Sequence, residues 1–147
     1  MKELINQTIA ELNFKAQEKK LYIKYEQPKI DKIVKIDPEK LKEVISNLID
    51  NSIHYTEKGG ITVGANANSS RINITVSDTG AGMAEEEIIK LFESFSRGSA
   101  GNELNTQGSG LGLYIAKKFV EMHNGKIWAE SEGKNKGSAF HIELPNK

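Results

Sequence analysis

The stretch DPEKLKEVISNLIDNSIHYT, residues 37–56, decides how the chain folds. Asp37 followed by Pro38 is typical of a helix N-cap with proline at the first helical position, so a long helix is expected to begin there. The pattern ends near Tyr55, ahead of the glycine pair at 59–60, where a helix can stop. One face of this helix carries the apolar set Leu41, Val44, Ile45, Leu48 and Ile49, with Ser52 beside them. The stretch therefore predicts an amphipathic helix that buries one face.

The residues before this helix predict a helix and a strand. Apolar positions recur at helical spacing over 2–19, and residues 21–26 then alternate as Leu21, Ile23 and Tyr25. Ile33–Ile36 is compatible with a short second strand.

The residues after it predict two hairpins separated by helical segments. Residues 61–67 and 71–77 alternate around the turn Asn68-Ser69-Ser70, and 126–131 and 138–144 form a second pair of strands. A short helix is expected from Glu85 to Phe92, and a largely buried one from Gly110 to His123. Between them, residues 94–108 have the composition of a long functional loop.

The sum of these elements is an α+β fold, a two-layer sandwich with about three main helices on one face of a mixed, mostly antiparallel sheet. A chain of 147 residues with 37% hydrophobic content is the size of one domain, and no linker or repeat divides residues 1–147. We expect a single domain with a lead-in helix over residues 1–19.

The bulk composition excludes several classes of function. Twenty lysines and arginines balance twenty aspartates and glutamates, so no overall field draws the chain to nucleic acid or to a membrane surface. The chain has no cysteine, no start resembling a signal peptide, and no apolar run near the roughly 18 residues of a membrane helix. We expect a soluble protein or fragment from a reducing compartment such as the cytoplasm, without direct contact to the membrane or nucleic acid.

Asn47, Asn51 and His54 form a narrow polar stripe at the rim of the apolar face of the long helix. Asparagine has below-average helix propensity, so two of them one turn apart carry an energetic cost. They either satisfy nearby backbone groups or supply amide oxygens to a hard cation such as Mg²⁺.

The motif DTGAGM, residues 78–83, places a carboxylate at a strand end, followed by two glycines. Asp78 is either a turn residue or a ligand-binding group, and Gly80 and Gly82 would allow the backbone close to a flat ligand. The aspartic protease triplet is a weak alternative because Ser77 precedes it and no second copy exists.

The motif GSGLGL, residues 108–113, opens a predicted helix and would direct free N–H groups at an anion such as phosphate. It is neither a dinucleotide fingerprint, because Leu113 occupies the third glycine position, nor a P-loop, because the lysine is missing.

Five blocks in this order, NLIDNSIHYT, DTGAGM, LFESF, GSGLGL and GSAFHIELP, resemble the catalytic, ATP-binding domain of bacterial sensor histidine kinases over residues 1–145. The superfamily also includes gyrase, Hsp90 and MutL ATPases. The resemblance implies a Bergerat-type sandwich that binds ATP and Mg²⁺ between the long helix and a lid at 94–108.

The resemblance also implies roles by position. Asn51 is similar to the magnesium ligand, Asn47 to its phosphate-side neighbour, and Asp78 to the acceptor of the adenine amino group. The nucleotide would further be lined by Tyr55, Gly80, Gly82, Met83, Gly108, Gly110, Leu111, Gly112 and Ser138, with Phe92 and Phe95 at the lid base and Arg97 near the phosphates. His54 departs from the lysine or arginine of the family, so its phosphate contact would be weaker.

The phosphoacceptor of the family is missing, because none of His54, His123 and His141 lies in its sequence context. The resemblance therefore implies a cytoplasmic donor fragment, such as the cytoplasmic part of a membrane sensor. Its partners would be a histidine-bearing dimerisation hairpin and, downstream, a response regulator. Two alternatives remain. A hydrolase of the gyrase type is disfavoured because Asn47 replaces a catalytic glutamate, and a regulatory serine kinase is disfavoured by the lead-in helix.

Overall fold

The computed structural model of the protein describes residues 1–26, 36–93 and 111–146. The helices and strands in chain order are α1 Lys2–Glu18, β1 Tyr22–Glu26, α2 Pro38–His54, β2 Gly60–Ala67, β3 Arg71–Asp78, α3 Glu85–Lys90, α4 Gly112–Met122, β4 Lys126–Glu130 and β5 Ser138–Pro145. The predicted short strand at Ile33–Ile36 falls almost wholly outside the described residues, as does the predicted loop at 94–108.

The α2 helix begins where the sequence predicts. The Asp37 carboxylate accepts hydrogen bonds from Glu39 N at 3.0 Å and Lys40 N at 3.2 Å, so it satisfies two of the N–H groups that a helix start leaves free. At the other end, the Lys19 ammonium donates to the carbonyl oxygens of Ile53 and His54 at 2.9 and 3.2 Å. Both ends of α2 are thus capped by side chains.

The five strands form one open sheet in the order β1-β2-β3-β5-β4. The β1 strand runs parallel to β2, and the other pairs are antiparallel. The register places Val63 opposite Val76, and Val76 opposite Phe140, so the inward side chains of β2, β3 and β5 line up across the sheet. The predicted mixed, mostly antiparallel sheet is confirmed.

The core lies between one face of this sheet and the helices α1, α2 and α4. Residues from α2 (Leu41, Val44, Ile45, Leu48, Ile49), from β2 and β3 (Ile61, Val63, Ile72, Ile74, Val76) and from β5 (Phe140, Ile142, Leu144) are all almost completely buried. Full burial of one such aliphatic side chain stabilises the fold by about 1.5–3 kcal/mol. The predicted α+β architecture is confirmed.

The prediction that the last helix is largely buried is wrong. Only Leu113, Ala116 and Val120 of α4 are buried, whereas Ile115 is 43% exposed and Met122 is 80% exposed. The reason is that α4 packs along one side against α2 and β4. The α3 helix also ends at Lys90, before the predicted Phe92. In the described part of the chain, no helix is long and apolar enough to cross a membrane.

Candidate functional site

Asp78 stands at the end of β3, where its half-buried carboxyl group is held by backbone amides. Its Oδ1 accepts hydrogen bonds from Gly80 N at 2.9 Å and from Ser138 N at 3.2 Å. Burial raises the pKa of Asp78 above its ordinary value, against the opposing effect of these two bonds and of the neighbouring Ser52 hydroxyl. The carboxyl group is therefore fixed in orientation and costly to ionise.

Two buried hydroxyls of the α2 end lie beneath this carboxyl. Thr56 Oγ1 donates to the Ser52 carbonyl oxygen at 2.6 Å. Ser52 Oγ is buried and makes no hydrogen bond of standard geometry within the described residues, although it lies close enough to Asp78 to lower the pKa of the carboxyl. We regard Ser52 as a weak, adjustable partner of Asp78, because a hydroxyl can rotate towards the carboxylate when it ionises.

The loop after Asp78 is bonded to the end of α2. Ala81 N donates to the Tyr55 carbonyl oxygen at 3.0 Å. A Cβ atom at Gly80 would collide with that same Tyr55 oxygen and would lie 2.7 Å from Thr56 Oγ1. Glycine is therefore required at position 80 by the close approach of the two backbones.

The other side of the loop is bonded to the turn between β4 and β5. Gly137 N donates to the Gly80 oxygen at 3.2 Å, and Asn135 N donates to the Ala81 oxygen at 2.7 Å. Gly82 has a φ of +66°, and a Cβ atom there would collide with the Gly133 oxygen. Met83 is partly buried against the core, and its amide donates a hydrogen bond to Ser131 Oγ at 3.0 Å. Residues 78–83 are thus fixed from two sides.

The polar stripe of α2 divides into two different environments. Asn47 Nδ2 donates to the Gly112 carbonyl oxygen at 3.3 Å, so its amide ties α2 to the start of α4. The Asn51 side chain is half-buried and makes no hydrogen bond to any described residue. The His54 ring stands edge-on to the Tyr55 ring, with the centroids 4.9 Å apart. Asn47 thus fits the structural interpretation in part, while the amide of Asn51 has no partner among residues 1–26, 36–93 and 111–146.

The N-terminus of α4 faces this stripe without a side-chain cap. Leu111 occupies the N-cap position and offers no polar atom, while its carbonyl oxygen accepts from Ile115 N at 2.8 Å. The first N–H groups of the helix, including that of Gly112, consequently have no partner inside it. Such an end attracts anions through its free donors and its dipole.

The structure brings together Asp78, Gly80, Gly82, Met83, Tyr55 and Ser138 at one place, and Asn47 with Leu111 and Gly112 at another. Phe92 packs against the core. Phe95, Arg97, Gly108 and Gly110 lie outside the described residues. Among the described residues, no cluster of three histidine, cysteine, aspartate or glutamate side chains could hold a metal.

Sequence reasoning missed three residues of this site: Ser52, Thr56 and Ser131. The first two are small hydroxyls on or beside the buried face of α2, where they are indistinguishable from core residues by pattern. Ser131 lies in a turn-like stretch, 48 positions from the Met83 amide that it binds.

A rigid carboxyl-bearing loop and an uncapped helix start, both attached to one long helix on an α+β sheet, define a nucleotide-binding sandwich. The chain belongs to the histidine kinase-, DNA gyrase B- and HSP90-like ATPase family, whose model matches residues 36–147. This membership excludes the aspartic protease alternative.

Curated relatives are sensor histidine kinases. The chain is 38% identical over 145 residues to the adaptive-response sensory kinase SasA of Synechococcus sp. (strain JA-3-3Ab), covering 97% of this chain and 37% of that protein. It is 39% identical over 109 residues to the sensor histidine kinase RcsC of Escherichia coli (strain K12), covering 74% of this chain and 11% of that protein. The chain therefore spans little more than a third, at most, of these two relatives.

Solved structures agree. A nucleotide-free form of the catalytic domain of histidine kinase ThkA matches with a TM-score of 0.84 at 30% identity, covering 99% of this chain and 92% of that one. Full-length ShkA in complex with AMPPNP matches with a TM-score of 0.82 at 27% identity over 97% of this chain and 29% of that one. ThkA in complex with the response regulator TrrA matches with a TM-score of 0.80 at 26% identity over all of this chain and 40% of that one. The chain is an ATP-binding catalytic domain of the histidine kinase type.

Proposed function

We propose that this domain binds ATP with Mg²⁺ and donates the γ-phosphate to a histidine on a dimerisation hairpin that lies outside this chain, within a cytoplasmic two-component sensor kinase. The phosphoryl group would then pass to a response regulator. Support comes from the sensor kinase relatives, from the AMPPNP bound by ShkA, and from the regulator bound by ThkA.

The observation that carries the proposal is the fixed carboxyl group of Asp78. Its Oδ1 already accepts two backbone hydrogen bonds, so its other oxygen is the acceptor offered to a ligand. The exocyclic amino group of adenine donates, whereas guanine presents a carbonyl oxygen at the same position and would meet the carboxylate unfavourably. Gly80, Gly82 and Met83 would line the base, with Tyr55 as a wall and the Ser138 amide orienting the carboxylate.

The metal and the phosphates would bind along α2 and at the start of α4. The amide of Asn51, which bonds to none of the described residues, would offer an oxygen ligand to Mg²⁺, which prefers a shell completed by phosphates and water. The free N–H groups near Leu111 and Gly112 would face the phosphates, held in place by the bond from Asn47. We assign supporting phosphate and base contacts to His54, Phe95, Arg97, Gly108 and Gly110.

None of the three histidines, His54, His123 and His141, lies in the sequence context of the phosphoacceptor of the family, and position 47 carries an amide in place of a general base. His123 Nδ1 lies 2.9 Å from the Phe119 carbonyl oxygen, and His141 lies on the opposite sheet face between Thr75 and Trp128. Asn47 is an amide, cannot take a proton from water, and is engaged with Gly112. A positioned ATP without a general base is suited to wait for a nucleophile from another segment.

A labelled-ATP assay tests this proposal. The domain mixed with Mg-ATP should neither label itself nor release phosphate at more than a trace rate, because general-base help worth about 10² to 10⁴-fold is missing. Addition of the histidine-bearing hairpin encoded upstream should give acid-labile phosphohistidine on the hairpin. The same hairpin with its histidine replaced by glutamine is the control. Acid-stable label on serine would favour the regulatory serine kinase, and brisk phosphate release would favour a hydrolase.

A further inference from the structure

We propose that Ser131 is a positioning residue for adenine selectivity, because its hydroxyl joins the base loop, residues 78–83, to the β4–β5 turn, residues 131–137. The inference rests on the proposed function, since it takes the base loop as the adenine site. It assigns a role to a turn that sequence patterns leave as a plain connection.

The Ser131 hydroxyl is fully used by these two segments. Its Oγ accepts from Met83 N at 3.0 Å and from Gly133 N at 3.2 Å, and it donates to the Gly137 carbonyl oxygen at 2.7 Å. A hydroxyl has one hydrogen and two lone pairs, so these three bonds exhaust its capacity. One side chain therefore fixes both the shape of the turn and the amide at the end of the base loop.

The turn follows the base loop residue by residue. Its backbone amides at Asn135 and Gly137 donate to the carbonyl oxygens of Ala81 and Gly80, and the next amide, at Ser138, donates to Asp78. Backbone bonds of this kind survive most side-chain substitutions. Substitution of Ser131 would instead remove the bond between the turn and the Met83 amide, while these backbone bonds remain.

A second side-chain contact joins the turn to the helix after the loop, and it explains why Ser131 has a local effect. Lys134 Nζ lies 2.7 Å from Glu87 Oε2, and that same oxygen accepts from Ala84 N at 2.9 Å. The start of α3 is therefore held independently of Ser131. Loss of the Ser131 hydroxyl frees the Met83 amide between two segments that stay in place.

Residues 82–83, which would lose the hydrogen bond to Ser131, already contain an unusual backbone conformation. Gly82 has a φ of +66° and packs directly against the Gly133 carbonyl oxygen. Without the bond from Met83 N, residues 82–83 would gain alternative conformations, and the adenine that they line would be held less firmly against Asp78. ATP and ADP both depend on the proposed hydrogen bond from the adenine amino group to Asp78. GTP has no such bond to lose.

The test compares Ser131→Ala and Ser131→Thr with wild type by titration calorimetry against Mg-ATP, Mg-ADP and Mg-GTP. We expect Ser131→Ala to lower the affinity for ATP about tenfold, which is about 1.4 kcal/mol, and to lower the affinity for GTP much less. The preference for ATP over GTP should therefore shrink. The ratio of ATP to ADP affinity should not change, because the phosphate end is untouched. Ser131→Thr keeps the hydroxyl and should restore most of the preference.

Ser70→Ala is the matched control. Ser70 lies in the turn at the far end of the β2–β3 hairpin, where its hydroxyl bonds only to Asn68 Oδ1 at 3.1 Å among the described residues, so its loss should leave all three affinities unchanged. A purely structural role for Ser131 would lower the number of binding sites while leaving the affinity per site intact. That result, or equal weakening of ATP and GTP, overturns the inference. Absence of any ATP preference in wild type would instead refute the base contact of the proposed function.

Discussion

The substitution Asp78→Asn separates the structural role of this side chain in the loop from its proposed contact with adenine. An asparagine can keep Oδ1 where it accepts from Gly80 N and Ser138 N, so the loop geometry is retained. The second oxygen becomes an amide NH₂ group, which donates. Adenine would then present a donor to a donor, while guanine would present its carbonyl oxygen to a suitable partner.

The bonds of Asp78 set the magnitude of the effect. Loss of a hydrogen bond to a charged group should weaken ATP binding by about 1.5–3 kcal/mol, which is roughly 10- to 150-fold in affinity. GTP gains one neutral hydrogen bond, worth about 0.5–1.5 kcal/mol. The two effects add to about 2–4.5 kcal/mol, so we expect the ratio of ATP to GTP affinity to fall by roughly 30- to 2,000-fold.

The effect on stability has the opposite sign from the effect on binding. The folded protein raises the pKa of Asp78, so the stability that this group contributes is present below its unfolded pKa and is lost as pH rises through its folded pKa. At neutral pH the ionised carboxyl therefore costs the nucleotide-free domain stability. Asp78→Asn removes the charge and keeps the two bonds, so the nucleotide-free variant should be at least as stable as wild type.

Asp78→Ala is the matched comparison, since it leaves the amides of Gly80 and Ser138 without their acceptor. An unpaired buried amide costs about 1–3 kcal/mol, so this variant should unfold at a temperature several degrees below that of wild type. Its affinity for ATP should fall about as much as that of Asp78→Asn. Calorimetric titration with both nucleotides measures the binding effect, and thermal unfolding of both variants and wild type as a function of pH measures the effect on stability. Equal destabilisation of the two variants, or no gain for GTP in Asp78→Asn, would refute the reasoning.

Three further substitutions test other parts of the site. Asn51→Ala should abolish the tightening of ATP binding by Mg²⁺, measured by titration with and without the metal, and an unchanged Mg²⁺ effect would place the ligand elsewhere. Gly80→Ala should fail to bind ATP and should melt several degrees lower in a thermal scan, because its Cβ collides with the Tyr55 oxygen; a well-folded, binding-competent variant would contradict the close approach of the two backbones. Asn47→Glu should raise phosphate release from the isolated domain if the carboxylate reaches the attacking water, while loss of the bond to the Gly112 oxygen weakens ATP binding; unchanged hydrolysis would show that position 47 lies too far from the reaction.

The fold follows from the sequence wherever local signals and the apolar pattern agree. The α2 helix has a capping aspartate, a proline at its first position and one apolar stripe, and it begins at the predicted residue. The strands alternate cleanly, and their pairing confirms the predicted hairpins. The α4 helix shows the limit. Apolar residues on two sides predicted burial, but a pattern does not reveal that only one side has a neighbour, and Met122 is 80% exposed.

The site is predictable from the sequence to the extent that it lies in motifs. Asp78 and its glycines were predicted as site residues because DTGAGM is one of five blocks that resemble the family, since a carboxylate before a glycine-rich turn is by itself common. Ser131 was not, because its importance comes from a contact with Met83, and nothing within SEGKNKG distinguishes this serine from that of any polar turn. Pairings between distant segments are set by the packed structure.

The α2 helix and its C-cap connect the start of α4, the proposed metal ligand and the base loop, because polar groups recur every four residues along it. Asn47 holds the start of α4, Asn51 offers an amide that makes no bond to a described residue, and the Tyr55 carbonyl oxygen holds the base loop. At a rise of about 1.5 Å per residue, these three positions are separated by steps of roughly 6 Å along one rigid axis. A shift of the base loop against the phosphate end would have to break a bond to this helix. If Asp78 binds the base and Asn51 the metal, as we propose, the spacing between these two contacts is fixed before any nucleotide binds, which would reduce the ordering cost of aligning a γ-phosphate.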